Sequence, residues 1–209
     1  MDRNDITLKT YDEVAQEYEK LHKSSGEPIE LKKLAGYLKP GAKILDAGCG
    51  FGMQLKYFSK LGFDTYGFDA SKELLKLARK NAPKAKIVFA DLREKLPYKD
   101  NFFDGVIAKT TLHHLEPRGL PFALSEIRRV LKPRGVFFVS WKEGDKEMMT
   151  KEEVAAGRER FYNLKNQKEV EDIIKEAGFE ISESYIFDWN KRYVGKRQFS
   201  HFIVVFARK

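Results

Sequence analysis

The stretch from Ile44 to Gly52, read as ILDAGCGFG, limits what this chain can become more than any other. A short apolar run closes on an acidic residue and then on three glycines at alternate positions. A brief apolar run bounded by glycine reads as a buried strand. The glycines let the backbone turn sharply and let a ligand come close without meeting a side chain. A helical stretch follows to Leu61, and Gly62 stops it.

From that turn onward strand and helix alternate. Ala42 to Ala47, Phe63 to Phe68, Lys86 to Phe89, Phe103 to Ala108 and Val136 to Trp141 read as strands. Between them a helix capped by Ser71 runs to about Asn81, and another runs from Pro121 to Leu131, before Lys132-Pro133-Arg134-Gly135. A last helix covers about Asn166 to Ala177 and stops at Gly178. Two strands, near Glu180 to Asp188 and Phe199 to Ala207, are joined too closely for a crossover helix and so pair antiparallel. The expected class is α/β: a doubly wound, mostly parallel seven-stranded sheet with an antiparallel C-terminal hairpin strand and helices on both faces.

Ahead of the sheet, Tyr11, Val14, Ala15, Tyr18 and Leu21 follow helical spacing over about Thr10 to Ser24. Ser24-Ser25-Gly26 breaks that helix, and Pro28 opens a second one to about Leu38. Residues 1–40 thus form an N-terminal helical cap. The polar segment Lys142 to Lys165 breaks the alternation. It reads either as an inserted surface loop or as a lid-like, substrate-facing segment. With no repeat, low-complexity tract or linker, residues 1–209 read as one domain.

Apolar residues make up 42% of the 209 and aromatics 13%, enough for a core. Cys49 is the one cysteine and has no partner for an internal disulfide, as suits a reducing compartment. No N-terminal segment pairs basic residues with an apolar run, and no apolar stretch is long enough to span a membrane. The expectation is a cytoplasmic protein. Four histidines and one cysteine lack ligand spacing, so no metal is expected. The net charge of +8 comes largely from Trp189 to Lys209, where Lys191, Arg192, Lys196, Arg197, Arg208 and Lys209 meet no acidic residue. Such a patch either attracts anions, nucleic acid among them, or is a solvated surface.

The turn itself points to a ligand. N–H groups at the start of the following helix favour an anionic group. Asp69, at the end of the second strand and 23 residues after Asp46, suits both hydroxyls of a ribose. The glycines read G-x-G-x-G, with Met53 where a dinucleotide turn would carry its third glycine. An acidic residue two positions before the first glycine sits badly beside a pyrophosphate and well beside an ammonium. S-adenosylmethionine carries an ammonium and a carboxylate together.

On these residues the chain resembles a class I (Rossmann-like) S-adenosylmethionine-dependent methyltransferase. The likeness runs from about Thr10 to Gly178, with its motifs in order: the DAGCGFG turn, Asp69-Ala70-Ser71, Ala90-Asp91-Leu92, Phe102-Phe103-Asp104, Thr111-Leu112-His113-His114, and Leu131 to Gly135. The resemblance implies that Gly48 and Gly50 pass close to the methionine part and that Asp46 organises the turn. It gives Asp69 the ribose, Ala70 the adenine face, Asp91 the adenine amino group with the Leu92 backbone, and the Lys109 backbone the methionine end. Relatives often carry Asn or Ser where this chain has Lys109. Tyr11 and Tyr18 match the family's Y-D-x-x-A-x-x-Y helix, and Tyr18 either closes over the cofactor or packs as an ordinary helix residue.

Methyl transfer from a sulfonium needs an in-line nucleophile and little else, so alignment can supply roughly 7–11 kcal/mol of the barrier. A base is required only when the acceptor holds a proton. His113, after the fourth strand on the ligand side of the sheet, is the base candidate; the other reading packs it against its loop. Tyr162 and Trp141 are candidates for an acceptor pocket, and Arg192 and Arg197 for an anionic acceptor. Three activities remain open: methylation of a small molecule, methylation of RNA with steep salt dependence, and a non-catalytic cofactor-binding regulator.

Overall fold

The computed structural model describes residues 2–22, 29–151, 155–192 and 200–209, with the backbone alone of Arg192. Seven strands make one sheet in the order β3-β2-β1-β4-β5-β9-β8. Its strands are β1 (Lys43–Ala47), β2 (Asp64–Asp69), β3 (Lys86–Phe89), β4 (Phe103–Lys109), β5 (Leu131–Lys142), β8 (Glu180–Asp188) and β9 (His201–Arg208). Pairings from β3 through β5 are parallel, and β9 runs antiparallel to both β5 and β8. The doubly wound sheet with an antiparallel C-terminal strand is the expected one. A four-residue helix, α7 (Trp189–Arg192), begins the connection from β8.

Both faces of the sheet are covered because both sets of alternating side chains are apolar. Leu45, Val106, Phe137 and Ile203 pack under α5 (Leu120–Val130) and α6 (Gln167–Glu176). Their neighbours Ile44, Ile107, Phe138 and Val204 pack under α2 (Ile29–Gly36) and α3 (Met53–Lys60). Fully buried Phe58, Phe137, Phe138 and Phe206 each contribute about 1.5–3 kcal/mol of transfer free energy. Local signals set the helix starts. Ser71 Oγ accepts from Leu74 N–H at the head of α4 (Lys72–Asn81). Asn166 and Glu169 form a reciprocal capping box on α6.

Three expectations need correction. The first helix, α1, spans Arg3–His22, so it begins seven residues before Thr10. Asn4 and Thr7 are buried there because their side chains bond to His114 O and to Phe161 N–H, tertiary partners that the local pattern does not announce. Next, β5 starts at Leu131, which was expected to end the preceding helix, and it takes in Lys132 to Gly135 ahead of the expected strand. Its register against β4 shifts between Phe103 and Gly105 as Lys132 to Gly135 pass through a bulge with Arg134 at φ 63°. Finally, the segment 142–165 is no surface loop. It carries a two-stranded antiparallel hairpin, β6 (Glu147–Lys151) and β7 (Glu159–Asn163). Arg160 to Asn163 are buried against α1. Ser24-Ser25-Gly26, Pro28, Lys196, Arg197 and Phe199 lie outside the described residues.

Candidate functional site

A cavity of about 150 Å³ opens at the C-terminal ends of the parallel strands, where open α/β sheets bind their ligands. Gly48, Cys49, Gly50 and Phe51 form its floor. Phe68 to Ala70 and Ala90 to Arg93 make two walls, and Lys109 to Thr111 with His114 and Leu115 a third. Asn4, Thr7, Leu8, Tyr11 and Tyr18 of α1 lie across it.

The floor depends on two glycines. Gly48 holds φ 77°, and a Cβ there would stand 2.3 Å from Thr111 Cγ2. Gly50 holds φ 53°, and a Cβ there would meet no atom within 4 Å, so the backbone lies open. Asp69 braces the turn: Oδ2 accepts from Gly50 N–H at 2.8 Å and Oδ1 from Ser71 N–H at 2.8 Å. Burial pushes its carboxyl up, and those N–H groups oppose the push.

Asp46 lies immediately before this turn and is 1% exposed. Its Oδ2 has no hydrogen-bond partner among the described residues. Burial pushes its carboxyl up to about 7, with Asp69 adding to the rise and the Lys109 ammonium opposing it. Lys109 lines the cavity, close enough for its charge to act on Asp46.

Tyr18, Gly48, Gly50, Asp69, Ala70, Asp91, Leu92 and Lys109 all line the cavity, with Asp46 beneath them. His113 does not line it. At 1% exposed, it packs its ring 5.3 Å from Tyr162 and 6.4 Å from Trp141, and Nδ1 accepts from Lys142 N–H at 3.3 Å. The histidine that reaches the cavity is His114. Trp141 is core, donating from Nε1 to Asn163 O at 2.7 Å, and Tyr162 is wedged beside both histidines.

Sequence reasoning missed three groups here. Arg160 is 2% exposed and donates from Nη1 to Tyr11 Oη at 2.8 Å. Arg93 chelates Asp91, with Nε 3.0 Å and Nη2 2.7 Å from Oδ2. Asp12, inside the matched tyrosine helix, accepts from Ser71 Oγ at 2.6 Å. Only Asp12 carried a sequence signal.

At the C-terminus the basic residues do structural work. Lys209 Nζ donates to Leu131 O at 2.7 Å and Arg208 Nη1 to Arg134 O at 3.0 Å. No group of His, Cys, Asp and Glu fit to hold a metal occurs among the described residues, and no described helix is long and apolar enough to cross a membrane.

The sequence profile of the family described as Methyltransferase domain matches residues 45–139, from β1 into β5. An uncharacterized methyltransferase of Synechocystis sp. is 38% identical over 109 residues, which are 52% of this chain and 50% of that protein. The chain thus spans half the length of that relative. An uncharacterized protein of Methanocaldococcus jannaschii is 32% identical over 200 residues, covering 82% of this chain and 75% of its own. Among solved structures, the 1,6-didemethyltoxoflavin-N1-methyltransferase of Burkholderia thailandensis, with S-adenosylhomocysteine bound, superposes with a TM-score of 0.74. It is 24% identical, covers 97% of this chain and 87% of its own, and so shows the shared fold. The chain thus carries a methyltransferase domain over residues 45–139 and has the fold of the class I S-adenosylmethionine-dependent methyltransferases.

Proposed function

We propose that this enzyme transfers the methyl group of S-adenosylmethionine to a small-molecule acceptor held between the glycine floor and α1. The observation that carries the reading is Asp46. A buried carboxylate oxygen without a partner costs free energy, and a cation brought to the open backbone beside it removes that cost. The ammonium of the methionine half is such a cation.

The other cavity groups fit the same ligand. Gly48 and Gly50 would pass against the methionine part, and Asp69 would take the ribose hydroxyls. Ala70 would face the adenine, and Asp91 with the Leu92 backbone would meet its amino edge. The Lys109 backbone would lie at the methionine end, and Tyr18 would cover the cofactor. When bound, S-adenosylmethionine supplies a methyl group already activated on a positively charged sulfur. The protein's share is alignment and exclusion of water, which α1 and the hairpin β6–β7 serve as cap and lid of one domain, residues 1–209. Where an acceptor carries a proton, the cavity offers Tyr11 and His114; the burial of His113 away from the cavity does not support it as the base.

Enclosure beneath α1 favours a small acceptor over RNA. The structural bonds of Arg208 and Lys209 take two cations away from any RNA-binding tail. Titration with S-adenosylhomocysteine and with NAD tests the cofactor site; preference for NAD overturns it. Labelled S-adenosylmethionine, offered small-molecule fractions and RNA with and without RNase, tests the acceptor. Label in an RNase-sensitive product overturns the small-molecule reading, and binding without transfer to any fraction overturns catalysis.

A further inference from the structure

Asp5 and Asp12 of α1 stand seven residues apart and so share one face of the helix. Each reaches a carboxylate of the cavity through a single intermediary. Asp12 Oδ1 accepts from Ser71 Oγ at 2.6 Å and from Glu73 N–H at 3.2 Å, while Ser71 N–H donates to Asp69. Asp5 Oδ1 accepts from Arg93 Nη1 at 2.8 Å. The same guanidinium holds Asp91 through Nε and Nη2, and the Arg93 N–H donates to Asp91 Oδ1 at 2.8 Å. Asp69 and Asp91 both line the cavity, and so does Arg93.

We propose that Arg93 is a positioning residue that couples adenine recognition at Asp91 to the seating of α1 over the cavity, with Ser71 carrying a parallel link from the ribose side. The inference rests on the function proposed above. A guanidinium is a planar fork with fixed donor directions. Two of its nitrogens set the plane of the Asp91 carboxylate, and the third points to α1. α1 carries Tyr11 and Tyr18 into the cavity lining, so a ligand held there meets the helix. Shifting α1 takes Asp5 from Arg93 and frees the guanidinium to rotate, which loosens Asp91. Conversely, a nucleoside held by Asp91 fixes Arg93 and favours the seated helix. The Arg93–Asp5 pair is partly exposed, at 30% and 48%, so by itself it contributes little. Its effect is to report, through one rigid group, whether the adenine side is filled. Lysine, a point charge on a flexible stem, cannot chelate one carboxylate and reach a second.

The test measures amide hydrogen exchange of residues 3–11 in the full chain, with and without S-adenosylhomocysteine, beside calorimetric titration of the same ligand. In the wild type the ligand slows exchange across this part of α1. Arg93→Ala weakens binding about tenfold and removes most of the ligand-dependent slowing, and Arg93→Lys behaves as Arg93→Ala does. Asp5→Asn keeps affinity within about threefold yet reduces the slowing. A wild-type α1 whose exchange ignores the bound ligand overturns the proposal, as does Arg93→Ala or Arg93→Lys with wild-type affinity and slowing. If Arg93→Ala fails to fold, Arg93→Lys and Asp5→Asn decide. Wild-type protein that binds no S-adenosylhomocysteine overturns the functional reading itself; binding without slowing overturns only the coupling.

Discussion

The Tyr11 hydroxyl lies 2.9 Å from His114 Nε2, and His114 Nδ1 lies 2.7 Å from the Phe161 carbonyl oxygen. A carbonyl only accepts, so Nδ1 carries the hydrogen and Nε2 takes the proton of Tyr11. Arg160 donates to the Tyr11 oxygen from behind. Burial, with Arg160 adding to it, holds His114 well below the usual histidine value, so the ring is neutral. The expected result is a His114 imidazole with a bare Nε2 that does not titrate between pH 6 and 8. Long-range nitrogen–proton correlation spectra read this directly, and a His114 that titrates near 6.5 contradicts it. Tyr11→Phe keeps the ring against Tyr18, 5.3 Å away, and removes the hydroxyl. Methyl transfer is expected to fall about tenfold to hundredfold through misplacement, with S-adenosylhomocysteine affinity much less affected.

Gly48→Ala should weaken cofactor binding sharply while the protein still folds. The new Cβ would stand 2.3 Å from Thr111 Cγ2 at φ 77°, and Thr111, itself part of the cavity wall, cannot retreat without moving that wall. A loss of affinity of a hundredfold or more is expected on the order of the strain, about 3 kcal/mol. Gly50→Ala meets no atom within 4 Å in the protein, so its effect comes from φ 53° and from the ligand it would crowd. A Gly48→Ala protein with unchanged affinity by calorimetry would remove the turn from the binding site.

Asp46 makes binding depend on pH. Its carboxyl is raised from 3.8 to about 7 in the folded protein, so the ligand's ammonium meets a charged partner only above that value. Affinity for S-adenosylhomocysteine should rise with pH through about 7 and then level off. Stability has the opposite sign. The folded state holds a proton that the unfolded state releases, so this group costs stability progressively as pH rises from 3.8 to about 7. Asp46→Asn, which carries no charge to desolvate, should therefore be more stable than the wild type at pH 8, by about 1 kcal/mol or more, roughly 2–4 °C in Tm. The same variant should bind the ligand more weakly. Melting curves at pH 5 and pH 8 check both signs, since the gain must shrink toward the acid end.

The elements built from continuous apolar runs, Ile44 to Ala47 and Val136 to Trp141, were legible because burial on both faces leaves no other letters to read. The carboxylates at strand ends were legible for a related reason: Asp46, Asp69 and Asp91 are acidic residues where the chain leaves the sheet. The hairpin was not. Its inner strand reads Glu-Arg-Phe-Tyr-Asn, and only packing against Thr7, Thr10 and Tyr11 explains why Arg160 is buried there. Nor does the pattern distinguish His113 from His114. They are consecutive on a short 3₁₀ turn, Leu112–His114, whose direction is set by Asn4, Phe161 and Tyr162 from distant parts of the chain.

The two histidines should therefore separate by experiment. His113 is enclosed by Trp141, Tyr162 and His114, and its Nδ1 accepts from the Lys142 N–H. His113→Ala leaves a void and takes the acceptor from the part-buried Lys142 N–H, with an expected loss of about 2–4 kcal/mol and ligand affinity within a fewfold of wild type. His114→Ala opens the cavity wall itself and removes the acceptor of the Tyr11 hydroxyl, so it should weaken ligand binding and transfer together. A pH series adds a signature that simple truncation lacks. Burial holds His113 well below its unfolded value of about 6.5, so the folded protein stays neutral there while the unfolded chain takes a proton. The wild type loses this contribution as pH falls below 6.5, by up to about 1.4 kcal/mol per pH unit; His113→Ala has no such proton to take. The gap in stability between the two should be widest above pH 6.5 and narrow toward pH 5 in denaturant titrations. A gap that stays constant across that window would mean that His113 takes up its proton alike in the folded and unfolded protein, and its assignment to the core would fail.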